Sequence, residues 1–527
     1  MNPIRRQIMI RSVTAATAAS LGLPAWSAPA GTGAGVDIHI ELHAVPDQVA
    51  IRPGAQTRIW RYRGRLLRGP VGALDTSMLA PVIRMHRGQR VRIDLVNGLP
   101  EPTIIHWHGL HVPDDMDGHP RFAIAPGARY LYEFTVVDRA GSYWFHAHPH
   151  GRTGKQVYSG LAGLFLVSDE EEAALGLPAG AQDIPIVIQD RNFDKDNQFV
   201  YLDEDQGAAR DGGGMMGGGM MGGGMRSMMA SMMGVLGDQI LVNARPNASL
   251  DVDRRAHRLR LLNASNTRMY KLAWDDRSPL SVIGTDGGLL GAPVQRDYVM
   301  LAPAERVDLW VDFSRWPAGT ERVLRSLAFE DGMNMGGMMG EANALADGAP
   351  FVVHRFRMRE GAAGTATLPR RLTPIPPPQP RLAINFDDPK VFEITMGMMT
   401  WGINGAGFDM LGASALETVK LGTHEIWEFR NDGRNSMMGM VMPHSMHVHG
   451  LQFRVLGRSV SNKFAAEYDT VKAGLVDEGW KDTVLVMPGE RVRILLRFAD
   501  YPGLYPYHYH MLEHEDSGLM RNYLVKA

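Results

Sequence analysis

Four pairs of histidines, each with one residue between its two members, are the side chains of this chain best suited to chemistry. On a strand, successive side chains point to opposite faces, so the two imidazoles of a His-x-His pair share one face. Two imidazoles that converge in this way begin a transition-metal site. The chain has 19 histidines, and chance rarely arranges them as four such pairs. The pairs are His106/His108, His146/His148, His447/His449 and His508/His510.

The types of donor indicate which metal is bound. Neutral imidazoles without a thiolate or carboxylate among them favour copper over magnesium, calcium or structural zinc. The chain contains no cysteine, which also excludes disulfides and a thiolate nucleophile. Eight nitrogen donors exceed the needs of one ion, so the four pairs predict a cluster of two or three copper ions.

Short strands between glycine and proline turns must position these histidines. Residues 91–95 alternate apolar and polar side chains, as a half-buried strand does, and residues 97–100 have the composition of a turn. No stretch of residues 36–170 shows a long helical period. The predicted fold class is therefore all-β, built from Greek-key barrels or sandwiches.

The chain length of 527 residues allows three or four domains. The predicted domains are 36–170, 180–358 and 381–527, with a proline-rich, semi-rigid linker at 359–380. The middle domain carries no histidine pair and is interpreted as a spacer of similar fold. A site that uses all four pairs must therefore lie between the first and third domains.

Methionine is overused, at 33 residues, and is concentrated in a glycine-rich insert at 212–234. Glycine at this density disfavours an ordered backbone, so a mobile loop is expected there. A second methionine cluster lies at 333–339. Thioethers are soft ligands suited to Cu(I), which favours copper capture by these segments. The alternative is a flexible linker with no ligand role.

The N-terminus has the features of an export signal. Arg5 and Arg6 precede a small, apolar run at 13–26, and residues 28–30 form an Ala-x-Ala cleavage site. Residues 1–30 are therefore predicted to be a Tat-like signal peptide, which implies a periplasmic protein. A Sec signal and a disordered cytoplasmic tail are the alternatives. No later run is long and apolar enough to span a membrane, and the net charge of −2 argues against a nucleic-acid partner.

Longer motifs surround the histidine pairs. They read HWHGLHVPDDMDG (106–118), WFHAHPHGRTGKQ (144–156), HSMHVHG (444–450) and HYHMLEHEDSGLM (508–520). In this order they resemble the multicopper oxidases, in particular the bacterial periplasmic laccases and cuprous oxidases. The resemblance covers nearly the whole chain after the signal segment. It implies three cupredoxin domains and a trinuclear copper cluster that reduces dioxygen to water.

The resemblance also implies a role for each histidine of the pairs. His106 and His447 would hold the type 2 copper. The type 3 pair of coppers would be held by the other six, which are His108, His146, His148, His449, His508 and His510. Asp117 and Glu515 match the carboxylates that relay protons to the cluster in this family.

The type 1 copper site departs from the family pattern. His444 and His514 match its two histidine ligands, but Tyr509 stands where the family has cysteine. A blue copper site needs a thiolate, and a phenol with a pKa of about 10 is a harder and longer donor. Leu519 occupies the usual axial methionine position, with Met520 beside it. The sequence therefore predicts no blue copper and impaired electron entry.

Two functions of different classes follow from these residues. The first is an oxidase that couples oxidation of Cu(I) or small phenols to reduction of dioxygen, with turnover impaired by Tyr509. The second is copper sequestration for copper tolerance, without turnover. A copper-free scaffold is a third interpretation, disfavoured because buried imidazoles without partners cost stability. A monomer is expected.

Overall fold

Strands dominate a computed structural model of the chain. The model describes residues 35–202, 233–331, 345–364, 366–396, 401–433 and 441–527. The predicted signal peptide (1–30), residues 212–232 of the methionine-rich insert and the cluster at 333–339 lie outside the described residues. Their predicted properties therefore stay predictions.

Residues 38–168 form two sheets that carry the first two histidine pairs. The strands are β1 Ile38–Val49, β2 Thr57–Arg68, β3 Leu74–Asp75, β4 Val82–His86, β5 Arg90–Asn97, β6 Ile105–His108, β7 Arg129–Thr135, β8 Gly141–Ala147 and β9 Ala162–Ser168. The strand order is β2-β1-β5-β7 in one sheet and β3-β4-β9-β8-β6 in the other. Their inner faces share one core, which includes Ile40, Ile93, Trp107 and Phe145. Burial alternates along the first half of β1, because only one face of that sheet is covered.

Residues 183–358 form a second pair of sheets, without a histidine pair. The strands are β10 Asp183–Arg191, β11 Gln239–Val242, β12 Arg245–Pro246, β13 Ser249–Val252, β14 Ala256–Asn263, β15 Tyr270–Trp274, β16 Leu280–Thr285, β17 Gly288–Arg296, β18 Val299–Leu301, β19 Arg306–Asp312, β20 Glu321–Ser326 and β21 Phe351–Met358. The strand orders are β12-β11-β10-β14-β19-β16-β17 and β13-β21-β20-β15-β18.

Residues 390–526 form the third pair of sheets, which carries the last two histidine pairs. The strands are β22 Lys390–Met396, β23 Trp401–Ile403, β24 Thr418–Lys420, β25 Thr423–Arg430, β26 His444–Val448, β27 Phe453–Val460, β28 Thr483–Val486, β29 Glu490–Phe498, β30 Gly503–Tyr509 and β31 Met520–Lys526. The strand orders are β23-β22-β25-β29-β27 and β24-β31-β30-β26-β28.

Helices in the described ranges are short. The α-helices are α1 Thr153–Ser159, α2 Glu170–Ala173, α3 Ala465–Asp469 and α4 Leu512–Asp516. The 3-10 helices are Pro120–Phe122, Gly180–Gln182, Phe313–Arg315, Pro380–Leu382, Asn462–Phe464 and Lys472–Gly474. Among the described helices, none has the length and apolar character needed to cross a membrane. The all-β prediction is confirmed. Asp37–Ala527 forms one compact unit, so the domain boundaries stay predictions.

Candidate metal centre

The ends of four strands bring the histidine pairs together. β6 pairs with β8, which sets His106 opposite His146. β26 pairs with β30, which sets His447 opposite His508. All eight imidazoles are at most 1% exposed. The structure therefore assembles one buried cluster from strands of residues 38–168 and of residues 390–526.

Ring nitrogens of the cluster lie within hydrogen-bond distance of one another. The Nε2–Nε2 distances are 3.2 Å for His106–His447, 3.3 Å for His148–His508, 2.9 Å for His449–His508 and 3.4 Å for His146–His510. Three groups of ligand atoms, with all atoms of a group within 4.8 Å of one another, are His106/His108/His146, His106/His447/His449 and His148/His449/His508. Each group has the size of a three-coordinate metal site.

Backbone carbonyls fix the tautomer of the first close pair. Nδ1 of His106 lies 2.7 Å from the carbonyl oxygen of Asp117, and Nδ1 of His447 lies 2.8 Å from that of Asp482. A ring that donates Nδ1–H to a carbonyl keeps a lone pair on Nε2 when it is neutral. The two Nε2 lone pairs of this pair therefore face each other at 3.2 Å. They repel unless a cation lies between them, so the donor set fits a metal.

The same argument applies to a second close pair. Nδ1 of His449 lies 2.8 Å from Asp117 Oδ2, and Nδ1 of His508 lies 3.1 Å from the carbonyl oxygen of Tyr509. Both Nε2 atoms again keep lone pairs, here 2.9 Å apart. Nδ1 of His146 is likewise occupied, by the backbone carbonyl of residue 147 at 3.0 Å.

His108 has the opposite tautomer. Its Nε2 lies 3.1 Å from Asp482 Oδ1 and 3.1 Å from Thr483 Oγ1, whereas its Nδ1 has no hydrogen-bond partner among the described residues. A carboxylate that accepts Nε2–H leaves the lone pair on Nδ1. His108 therefore offers Nδ1 to a metal, whereas the five rings whose Nδ1 atoms are occupied offer Nε2.

Burial favours the uncharged form of most of these imidazoles. It lowers the pKa of most of them, and repulsion from neighbouring imidazoles acts in the same direction. The affected residues are His108, His146, His148, His447, His449 and His510. The neutral ring is the form that binds a metal, so binding by these rings does not have to displace protons near neutral pH.

The structure places both predicted relay carboxylates against the cluster. Asp117 accepts from His449 through one oxygen, and burial raises the pKa of this carboxyl. The loop behind it passes so close to β6 that a Cβ at Gly118, where φ is +86°, would lie 2.0 Å from the Ile105 carbonyl oxygen. Only glycine fits there, so the sequence of this loop fixes where Asp117 meets the cluster.

Glu515 contacts the opposite pair of rings. Its Oε2 lies 3.0 Å from His508 Nδ1 and its Oε1 lies 3.4 Å from His148 Nε2. Burial raises the pKa of this carboxyl, but the two imidazoles outweigh burial and bring the pKa down to about 2. Glu515 is therefore an anion beside the cluster, whereas Asp117 is closer to being protonated.

Sequence reasoning missed an ion pair that supports His108. Arg306, at the start of β19 in the middle pair of sheets, donates through both terminal nitrogens to Asp482, with Nη1 2.8 Å from Oδ1. Both side chains are completely buried. The sequence offers one signal for this ion pair, a charged residue directly before an apolar strand. Such residues are too common to identify a site. The middle segment is therefore more than a spacer, because it supplies the cation that holds Asp482.

Replacing Asp482 by asparagine is expected to lower copper affinity by about 10–100-fold, because His108 loses the carboxylate that accepts from its Nε2–H and fixes its tautomer. Copper retained after dialysis against a chelator measures this. Asp286→Asn is the matched control. Asp286 is equally buried, its Oδ1 lies 3.7 Å from Arg306 Nη1, and it is not in a group of ligand atoms with the histidines. Equal copper loss in both variants would show that the effect comes from general destabilisation.

Tyr509 lies on the face of β30 away from His508 and between the two predicted type 1 histidines. Its ring centroid is 4.4 Å from that of His444 and 5.4 Å from that of His514. Its hydroxyl donates to the Pro443 carbonyl at 2.6 Å. Burial raises the pKa of this phenol well above its ordinary value. A neutral phenol whose proton is held by a carbonyl offers no anionic oxygen to a metal.

A cavity of about 20 Å³ adjoins Tyr509, large enough for one water-sized occupant or ion. Its lining includes the four methionines Met233, Met269, Met442 and Met511. Asp347 also lines it, and burial raises the pKa of this carboxyl to about 7. One of its oxygens has no hydrogen-bond partner among the described residues. The thioethers are soft ligands that suit Cu(I), whereas the carboxyl oxygen is a hard donor.

Comparison with known proteins gives consistent matches. The family model described as multicopper oxidase matches at residues 60–172 and, in a second form, at 383–527. A laccase of Bacillus stratosphericus is 31% identical over 505 residues, which cover 88% of this chain and 90% of the relative. The cell division protein FtsP of Escherichia coli (strain K12) is 29% identical over 495 residues, which cover 90% of this chain and 86% of the relative.

Solved structures show the same fold. The crystal structure of McoA multicopper oxidase from the hyperthermophile Aquifex aeolicus is 34% identical and has a TM-score of 0.73. The match covers 94% of this chain and 100% of that one. This likeness confirms the predicted fold class of cupredoxin-like β domains.

Proposed function

Because this chain belongs to the multicopper oxidase family, we propose that its eight clustered histidines hold a trinuclear copper site. The observation that carries the proposal is the pair of Nε2 lone pairs of His106 and His447, which face each other at 3.2 Å in a buried site. Copper suits these imidazole donors and supplies one-electron redox chemistry that carries electrons to dioxygen.

The proposed assignment follows the family pattern. His106 and His447 hold the type 2 copper, and the type 3 pair is held by His108, His146, His148, His449, His508 and His510. The convergence of their ring nitrogens in overlapping groups of three supports one shared cluster. Nδ1 partners orient five of the eight rings, and the Nε2 partners of His108 orient a sixth, so the protein sets the positions of these donors before the metal arrives.

Reduction of dioxygen to water consumes four protons as well as four electrons, and the buried cluster needs a route for them. We propose that Asp117 and Glu515 hold these protons. The support is that each touches cluster imidazoles from inside the protein and that each has an oxygen without a hydrogen-bond partner among the described residues.

We propose further that turnover with Cu(I) or phenols is slow, because electrons lack the usual entry. A thiolate at position 509 would join a type 1 copper to the flanking ligands His508 and His510. The phenol of Tyr509 instead donates a hydrogen bond to the Pro443 carbonyl, so it places no anionic donor beside His444 and His514. The proposal places the protein in the periplasm, on the strength of its signal-like segment at 1–30.

Metal analysis tests the cluster. Protein reconstituted with copper without oxygen and then dialysed is expected to retain about three coppers per chain, without intense blue colour. Oxygen consumption with Cu(I) or a phenol is expected to stay near that of free copper. Retention of no copper would refute the cluster and would favour a copper-free role.

Copper sequestration is a second candidate function, and the methionine-lined cavity beside Tyr509 favours it. The double variant Met269→Leu/Met442→Leu keeps the side-chain volume but removes two sulfurs, so Cu(I) affinity is expected to fall by about tenfold or more. Competition with a chromophoric Cu(I) chelator measures this. Met300→Leu/Met487→Leu is the control, because these methionines are equally buried but do not line the cavity. Unchanged affinity in the first variant would count against capture at this cavity.

A further inference from the structure

A cavity of about 500 Å³ opens between the sheets of residues 38–168 and those of residues 183–358. None of the histidines of the copper cluster lines it. Its volume falls within the range of sites that enclose small organic ligands. The proposed copper chemistry therefore leaves this cavity without an assigned role.

The charges around the cavity have one sign. Its lining contains the arginines Arg61 and Arg245, whereas no aspartate or glutamate of the described residues lines it. Arg245 is exposed at the mouth, and the Arg61 side chain is only 18% exposed. Arg61 contacts Asp47 through Nη1 at 3.4 Å, while its buried Nε has no hydrogen-bond partner among the described residues. A buried guanidinium donor left over at a cavity wall favours an anionic ligand.

A buried imidazole provides a second polar group. His354, on β21, is 5% exposed and lines the cavity. Its Nδ1 has no hydrogen-bond partner in the described part of the chain. Burial lowers the pKa of this ring to about 4, so it is a neutral donor near pH 7. A buried polar atom without a partner is costly unless a ligand or water satisfies it.

The remaining walls are mainly apolar. Ile51, Ile186 and Val242 are buried and line the cavity. A separate cavity of about 30 Å³ shares the walls Ile51 and Leu79 with it and is also lined by Tyr158 and Phe199. The shape therefore combines a polar region with a longer apolar region, which suits an amphipathic molecule rather than a small inorganic ion.

One wall is a rigid turn. Asn243 and Ala244 connect β11 to β12 with φ values of +50° and +60°, which an alanine adopts only with strain. Both side-chain groups of Asn243 are occupied, by the Val187 amide and the Pro185 carbonyl. The turn therefore holds its shape without a ligand, and the cavity is preformed.

We propose that this cavity binds an organic monocarboxylate with an unbranched apolar body. The carboxylate accepts hydrogen bonds from Arg61 and His354, and the apolar body lies along Ile51 and Ile186 toward Phe199. Binding is independent of copper, because none of these residues belongs to the histidine cluster.

Calorimetric titration of the full chain with sodium octanoate tests the proposal. One molecule is expected to bind per chain, equally in copper-loaded and copper-stripped protein. Two probes serve as comparisons: octylamine, which has the same chain but a cationic head, and inorganic phosphate, which has no apolar body. Each is expected to bind at least about tenfold more weakly than octanoate. Equal binding of octylamine and octanoate, or no saturable binding of octanoate, would overturn the proposal.

Two variants locate the site. Arg61→Gln is expected to weaken octanoate binding about tenfold. Arg322→Gln is its matched control, since Arg322 is 25% exposed and pairs with Asp276 at 3.3 Å outside the cavity. Ser77→Trp at the exposed mouth is expected to abolish binding while thermal unfolding is unchanged, which keeps the test valid if Arg61→Gln fails to fold. Full binding by Ser77→Trp would place octanoate elsewhere and refute the assignment.

Discussion

Replacing Tyr509 with cysteine is expected to turn the copper-loaded protein blue and to raise its oxygen consumption with Cu(I) or a phenol by about tenfold or more. The copper content is expected to rise from about three to about four ions per chain. Visible absorption, metal analysis and an oxygen electrode measure the three effects on the same sample.

The physical reason is that two imidazoles already lie near residue 509, so a cysteine there would add a thiolate to two nitrogen donors. The rings of His444 and His514 lie on either side of residue 509, and Nδ1 of His444 has no hydrogen-bond partner among the described residues. Burial lowers the pKa of His444, so this ring is neutral and able to bind. A thiolate here would also connect, through the backbone, to His508 and His510 in the cluster.

Tyr509→Ser is the control for the cysteine variant. This substitution removes the same aromatic ring and leaves a side chain that is similar in size to cysteine but has no sulfur. The serine variant is therefore expected to stay colourless and inactive. A cysteine variant that binds a fourth copper yet stays colourless would show that residue 509 is not part of a type 1 site. A blue serine variant would have the same meaning.

The sequence predicts this site well where its chemistry is local to a strand. Alternation along β30 places His508 and Tyr509 on opposite faces, and the structure agrees. The His-x-His spacing likewise predicts which rings share a face, because a strand repeats every two residues. Such predictions need only the two-residue repeat of a strand, and they do not require knowing which residues pack against it.

The sequence fails where the partner is distant. Asp482 and Arg306 are 176 residues apart, and no local pattern shows that they pair beneath His108. The tautomer of His108 depends on that ion pair, so the sequence does not reveal the tautomer either. The engagement of the Tyr509 hydroxyl by Pro443 depends on how β30 packs against the residue before β26, which spacing alone does not reveal.

The arrangement separates the two halves of the expected chemistry. Under the proposed function, the residues that hold and orient the cluster come from all three pairs of sheets, and all of them are present although Tyr509 stands where a cysteine is expected. The proposed electron entry depends on that one side chain. A fold can therefore keep a metal cluster after its supply of electrons is reduced, since the cluster is held by many contacts and the entry by one.

Replacing His449 with glutamine is expected to reduce the copper retained per chain from about three to about one and to weaken binding by at least about 100-fold. His449 makes several contacts within the cluster. Its Nε2 lies 2.9 Å from that of His508, its Nδ1 lies 2.8 Å from Asp117, and its ring stacks on His106 at 3.6 Å. It belongs to two of the groups of three ligand atoms, so its loss leaves both groups incomplete.

The effect of this substitution on the melting temperature is expected to depend on whether copper is bound. In copper-free protein, the substitution removes one of two lone pairs that face each other at 2.9 Å, so the melting temperature is expected to stay equal or rise. In copper-loaded protein it is expected to fall, because the bound metal no longer stabilises the fold to the same extent. His257→Gln is the control, since His257 is also buried but is bonded to the Arg255 carbonyl outside the cluster. A His449 variant that melts lower in both states would show that the ring has a structural role rather than a metal-binding one.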